Sequence, residues 1–284
     1  MTANTARKRF TDLLNTGKTL VLPGAHDAVS ARLVEAAGFG ATYIGSYATS
    51  AAAYGLPDVG ALTMTELAEH AGRVAQAVSI PVLADAEAGF YDAPGIWRTV
   101  ESFERSGICG IHIEDHAGGK HTPEGRSLLP LETVVQRVRA AVEARTDPDF
   151  KIIARTDAMW VLDDVDEALR RMEAFAAVGA DLVFPTAITP DALASVRDRI
   201  PCKVLVLGDL PPSSIAQMTE AGADVVLFYG FTLTAAASGI SKALTALTET
   251  GDIRRMDHLL EDNQEFEARL GYDQYVKRAS RYRT

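Results

Sequence analysis

Four acidic side chains stand in two tight pairs, and each pair closes a short apolar run. Asp85 and Glu87 end the run in LADAEAGF, and Glu114 and Asp115 end GIHIED. Buried β-strands do not finish in clustered carboxylates unless something positive sits beside them. A hard divalent cation, which takes carboxylate and water oxygens, is the simplest such partner. Either pair alone reads equally well as solvated loop acids. Two pairs at equivalent places in consecutive strand–helix units point instead to one metal centre.

The remaining polar residues form a set around the same places. After the first apolar run come His26 and Asp27, and after the second Ser46 and Tyr47, leading on to Asp58. The fifth gives Arg155, Thr156 and Asp157, the sixth Thr186, the seventh Asp209 and the eighth Tyr229. Successive side chains of a strand face opposite ways. Asp85 shares a face with Leu83, Glu114 with His112, and Arg155 with Ile153, so acids from two neighbouring strands can address one point. Arg155 offers a planar donor fork suited to a substrate carboxylate, or a purely structural ion pair. His112 reads as a hydrogen-bonded interior residue and His26 as part of a helix start. Trp160 reads equally as pocket lining or as packing, and His116 is ambiguous.

Those groups need a scaffold that brings strand ends together. Strand-like runs fall at residues 19–22, 41–45, 82–84, 110–113, 151–154, 181–184, 203–207 and 224–228. Amphipathic stretches lie at 27–37, 64–78, 96–106, 131–144, 165–178 and 211–221. Several of these helices run into small-residue turns such as ERSGICG and AAVGADLVF, where glycine stops a helix. Eight such units predict a (β/α)8 TIM barrel over a single domain, 1–284, with active groups at the carboxyl ends of the strands. A doubly wound sheet is the competing architecture, but no GxGxxG follows the first strand. Residues 238–284 continue as two or three further helices. Their aromatic content predicts packing on the barrel or on a partner subunit.

Composition narrows the class of partner. The 284 residues carry a net charge of −10 and are 47% hydrophobic. Nucleic acid and anionic membrane both need a basic face, so neither is expected to bind. The amino-terminal stretch MTANTARKRF has no apolar signal core and no run is long enough to span a bilayer, which predicts a cytoplasmic enzyme. Cys109 and Cys202 fit no metal or redox spacing and read as buried, inert thiols.

The ordered motifs LPGAHDAVSARLVEAAGF, YIGSYATSAAAYGLPDVG, DAEAGF in place of DADxGYG, GIHIED and DPDFKIIARTDA resemble the isocitrate lyase / phosphoenolpyruvate mutase superfamily over roughly residues 15–235. The resemblance implies a (β/α)8 barrel whose last helix is exchanged between subunits of a dimer or tetramer. It implies Mg²⁺, with Mn²⁺ as the alternative, held by Asp85 with Asp58, Glu87 and Glu114 bound directly or through water. It also implies that Ser46, Tyr47 and Ala48 contact the carboxylate and oxo groups of a small carboxylate substrate, with Arg155 opposite and Thr186 at the sixth strand.

The departures bear on the reaction. Carbon–carbon lyases of the superfamily carry a mobile K-[KR]-C-G-H loop whose cysteine protonates the departing enolate. Here the segment reads Lys120, His121, Thr122, Pro123, Glu124, and an alcohol cannot exchange that proton as a thiol does. Lys120 or His121 is expected to close over the substrate as charge clamp or proton donor, unless both are simply solvated loop charges. Thr186 is neither the glutamate of the lyases nor the histidine of the mutases. The expected function is Mg²⁺-dependent cleavage of a carbon–carbon bond beside the carbonyl of a 2-oxo or 2-hydroxy di- or tricarboxylate. It would pass through an enolate, with decarboxylation favoured, and with Tyr47, Lys120, His121 and Arg155 as the catalytic residues. Phosphonopyruvate mutase or hydrolase chemistry and a catalytically silent 2-oxo-acid-binding barrel are the alternatives.

Overall fold

A computed structural model of the chain describes residues 2–117, 122 and 127–283. Eight parallel strands close on themselves in sequence order. They are β1 (Leu20–Ala25), β2 (Thr42–Ile44), β3 (Val82–Asp85), β4 (Gly110–Glu114), β5 (Lys151–Thr156), β6 (Leu182–Pro185), β7 (Lys203–Leu207) and β8 (Val225–Phe228). Thirteen α-helices occur among the described residues: α1 (Ala3–Leu14), α2 (Ala28–Ala36), α3 (Ser46–Thr49), α4 (Met64–Ala77), α5 (Ala93–Arg105), α6 (Leu131–Ala144), α7 (Ala158–Leu162), α8 (Val165–Ala177), α9 (Pro190–Val196), α10 (Ile215–Glu220), α11 (Phe231–Thr250), α12 (Asn263–Leu270) and α13 (Tyr272–Tyr282). The expected (β/α)8 barrel is present. Residues 1–232 and 233–284 form two compact units.

Local chemistry sets the helix boundaries. Asp27 caps α2 and Thr63 caps α4, each in a reciprocal box with the residue three positions on, Ser30 and Glu66. Such a box satisfies amides that the first turn leaves unpaired. Gly107 and Gly179, at φ 91° and 95°, turn the chain out of α5 and α8, a conformation that costs other residues more. Within the barrel, alternation sorts the side chains. Leu22, Tyr43, Leu83, Ile153, Phe184, Leu205 and Leu227 fill the interior. Ile44, Ala84, Ile111, Ile152, Val183, Val204 and Val226 pack outward among the helices. The unforeseen α1 contributes Phe10 and Leu14 to the interior cluster. Its Arg7 donates from Nε to the Ile108 carbonyl at 3.0 Å and pairs with Asp147 at 3.0 Å.

Several elements differ from the sequence expectation. Strands β1, β3, β4 and β5 run one to three residues further, which places Asp85, Glu114 and Arg155 inside the last strand positions and fixes their direction. The helix expected over 211–221 starts only at Ile215, where Ser214 caps it in a reciprocal box with Gln217. A short helix, α3, continued by a π-helical turn over Ser50–Tyr54, follows β2 directly.

The buried His70 of α4 places Nε2 2.9 Å from the His26 carbonyl, so the neutral ring donates there. Burial holds its pKa below the usual value. The linkage sign is that of a group depressed on folding. Its contribution is present above the unfolded value of about 6.5 and is lost as pH falls through the lower folded value. Between about pH 7.5 and about pH 5 the wild type therefore loses more Tm than His70→Gln, measured by thermal melts.

Candidate active site

Strand register assembles the acids. Asp85 pairs with His112, and Glu114 with Arg155, across neighbouring strands. All four side chains belong to the inward-facing series. Asp85 is the organiser. Its Oδ2 accepts the Ser46 hydroxyl at 2.8 Å and the Ser46 amide at 3.2 Å, and its Oδ1 accepts the Glu87 amide at 2.8 Å. The Ser46 hydroxyl also lies 3.2 Å from Asp58 Oδ1. Glu87 sits at φ 50°, a left-handed conformation that costs a side-chain-bearing residue about 1–2 kcal/mol. Two bonds hold it there: its amide to Asp85, and its carbonyl to the Glu114 amide at 2.9 Å.

Asp85, Glu87 and Glu114 can each present a carboxylate oxygen such that all three lie within 4.8 Å of one another. Three hard oxygen donors, two of them on residues at most 3% exposed, suit Mg²⁺ or Mn²⁺. A side chain supports them from behind. Tyr43 Oη and His112 Nε2 are 2.7 Å apart, and His112 Nδ1 is 3.5 Å from Asp85. Burial first, and then the Asp85 charge, push the Tyr43 hydroxyl well above its ordinary pKa. It stays protonated beside Nε2, and His112 Nδ1 lies on the Asp85 side.

Arg155 is tied on two sides. Its Nε and one terminal nitrogen bind Asp157 at 2.8 and 3.1 Å, and the other terminal nitrogen reaches Glu114 at 3.1 Å. The structural ion pair and the substrate fork are thus not exclusive, since two of the five guanidinium protons remain for a ligand. Asp157 is itself placed by Asp115, which accepts its amide at 2.8 Å and pairs with Arg171 at 3.0 Å. Sequence reasoning missed this brace, because Arg171 lies on α8 with no local pattern to tie it to Asp115.

One cleft at the carboxyl ends of the strands gathers most of the expected residues: Ser46, Tyr47, Ala48, Asp58, Asp85, Arg155 and Thr186 all line it, joined by Trp160 and Tyr229. Its empty volume is about 570 Å³ out to the mouth. Glu87 and Glu114 line a second hollow, with His116 and Arg137. The rings of Tyr47 and Tyr229 meet edge-on at 5.7 Å. Thr186 is buried, and its hydroxyl has no hydrogen-bond partner among the described residues. Lys120 and His121 lie outside the described residues. His112 is the interior hydrogen-bonded residue expected, and His116 packs against Trp160, ring centres 5.7 Å apart. Burial pushes the Cys109 thiol up to about 12 and Cys202 up to about 11, so neither supplies a thiolate at neutral pH.

Comparison with known proteins agrees with this geometry. The phosphoenolpyruvate phosphomutase family profile matches residues 10–248. A 2-methylisocitrate lyase of Shewanella oneidensis is 34% identical over 272 residues, 93% of this chain and 92% of that protein. A 2,3-dimethylmalate lyase of Eubacterium barkeri is 43% identical over 183 residues, 64% of this chain; the match spans 63% of that protein, less than two thirds of its length. A crystal structure of phosphonopyruvate hydrolase in complex with oxalate and Mg²⁺ superposes with a TM-score of 0.89 at 26% identity, covering 99% of both chains. The chain belongs to the phosphoenolpyruvate mutase / isocitrate lyase superfamily, and within it is a carbon–carbon lyase.

Proposed function

We propose that this lyase acts, with Mg²⁺, on a small 2-oxo or 2-hydroxy di- or tricarboxylate, and that loss of CO₂ is its favoured reaction. The observation that carries the reading is the cleft lined by Arg155, by Ser46, Tyr47 and Ala48 at the start of α3, and by Asp85, whose carboxylate belongs to the cluster completed by Glu87 and Glu114. Asp85, Glu87 and Glu114 would hold the metal, with Asp58 reaching it directly or through water. Once bound, Mg²⁺ supplies Lewis-acid polarisation of the substrate's oxo oxygen. The two free guanidinium protons of Arg155 anchor a carboxylate. The Tyr47 and Ala48 amides, unpaired at the first turn of a helix, face the charge that develops as the enolate forms. Ser46 orients Asp85 and Asp58, and the Thr186 hydroxyl meets the far end of the substrate. With Thr122 where related lyases carry cysteine, the final proton comes from water, Tyr47 or His121. Lys120 serves as a charge clamp.

The expected result is release of pyruvate or glyoxylate from one acid among oxaloacetate, isocitrate, 2-methylisocitrate, dimethylmalate and phosphonopyruvate. That turnover is abolished by EDTA and restored by Mg²⁺. No turnover of any would point to a substrate outside this set or to the binding-barrel reading. Phosphonopyruvate chemistry is the second reading, supported by the likeness to phosphonopyruvate hydrolase; it predicts inorganic phosphate or phosphoenolpyruvate as product.

A homo-oligomer, dimer or tetramer with the last helix exchanged, fits the surface of α11. Ile240, Leu244 and Leu247 are 62%, 59% and 42% exposed at a spacing that puts them on one face. A second copy of the chain is the natural cover for it. No described helix is long and apolar enough to cross a membrane. A cytoplasmic location and small-molecule partners complete the proposal, with no role for nucleic acid.

A further inference from the structure

The cleft has two unlike halves. The charged groups lining it, Asp58, Asp85 and Arg155, stand with Ser46 on the side of β2 to β5. On the side of β6 to β8 the lining is Phe184, over whose ring the Arg155 guanidinium lies at 5.5 Å, and then Leu207, Leu210 and Leu227, with the hydroxyls of Thr186 and Tyr229. Among the described residues Arg155 is the one cation in the lining, and Asp157 and Glu114 already share it. The titratable groups around Tyr229 are Asp209, Tyr47, Asp58 and Arg155; the Asp209 carboxylate accepts the Gly230 amide at 3.4 Å. Thr186 Oγ1, on a residue 2% exposed, has no hydrogen-bond partner among the described residues, and a polar group of a ligand would satisfy it.

A substrate whose head lies against Arg155 and the α3 amides must extend its remaining carbons toward this apolar wall. We propose that the wall formed by Leu207, Leu210 and Leu227 receives the carboxylate that departs as CO₂, and that the lack of a cation on it among the described residues is what directs the lyase to decarboxylation. This deepens the functional reading above and rests on it.

The chemistry is balanced without any further reagent. The bond between C3 and the departing carboxylate carbon breaks, and its electron pair becomes the C2–C3 π bond as the oxo oxygen takes up the charge. The departing carbon leaves as neutral CO₂, and one proton from water returns to C3. Negative charge therefore moves from the wall to the head of the substrate during the reaction. An anion facing leucine side chains loses solvation that neutral CO₂ does not need. The wall thus disfavours the bound substrate more than the transition state, which is the condition for a rate gain. The Thr186 hydroxyl, donating one hydrogen bond, fixes the plane of the departing carboxylate without neutralising it.

The test places a charge on the wall. Leu210→Lys is compared with Leu210→Gln, which matches it in polarity without charge, using oxaloacetate and Mg²⁺ with the non-enzymatic rate subtracted. Thermal melts confirm that both variants are folded. An added cation stabilises the bound dianion more than the transition state, so relative to the glutamine variant the lysine variant lowers KM about threefold or more and kcat about tenfold or more. Equal constants in the two variants, or a higher kcat with lysine, overturn the inference while leaving the lyase reading intact. If the wild type shows no EDTA-sensitive turnover of oxaloacetate, the decarboxylase reading falls, and the wall's role falls with it.

Discussion

Asp85→Ala removes turnover: kcat/KM falls by about 10³-fold or more, the loss expected when a Lewis acid worth several kcal/mol can no longer be held. The size of the effect follows from how many jobs the one carboxylate does. Its two oxygens accept three hydrogen bonds, from the Ser46 hydroxyl, the Ser46 amide and the Glu87 amide. Deleting it withdraws a metal ligand and also frees Glu87 from the left-handed conformation that aims its side chain. Asp85→Asn separates the two contributions. Its amide oxygen can still accept from one side, so the backbone at Glu87 is largely kept while the charge is lost. Mg²⁺ titration of the two variants by calorimetry should find no binding in Asp85→Ala. Asp85→Asn should bind weakly, with affinity reduced about 10–100-fold or more, the range seen when the surroundings of a metal site are disturbed. Full activity of either variant would place the metal, and the chemistry, elsewhere.

How much of this was legible beforehand depended on range. Alternation along β3, β4 and β5 predicted that Asp85, His112, Glu114 and Arg155 share the interior face, because period two is a local property. The strand–helix rhythm predicted the barrel for the same reason. Three kinds of feature escaped. The Asp115–Arg171 brace joins residues 56 apart, and Arg7 reaches Glu104 across 97; no local pattern encodes such pairs. The helix α3 was hidden because GSYATSAAAYG reads as a loop of small residues after a strand, although those same residues bring the Tyr47 and Ala48 amides to the cleft. The apolar half of the mouth was hidden because Leu207 and Leu227 are what any buried strand contains. They acquire meaning only when the closed barrel sets them opposite Asp85 and Arg155 around one cavity.

Arg155 carries the second large effect, and here stability and activity must be read apart. The guanidinium neutralises Asp157 and Glu114 at 2.8 and 3.1 Å, in a site where both acids are buried. Arg155→Met removes the guanidinium that two buried carboxylates share. Breaking a buried pair in that way costs about 3–5 kcal/mol, so this variant is expected to fold poorly or melt far below the wild type. Arg155→Lys keeps the charge but not the fork. A single ammonium cannot hold both oxygens of Asp157, reach Glu114 and still offer two parallel protons to a substrate carboxylate. Its fold is expected to survive with a modest loss of Tm, while kcat/KM falls about 10²-fold or more, consistent with the loss of a bidentate charge-assisted contact plus misplacement of the substrate. Oxalate, which copies the head of a 2-oxo acid, discriminates the causes. Weaker oxalate binding in Arg155→Lys, measured with Mg²⁺ present, assigns the loss to the anchor. Unchanged oxalate affinity with a lowered rate would mean that Arg155 acts only through Glu114 and the metal, and would move the carboxylate anchor to the α3 amides alone.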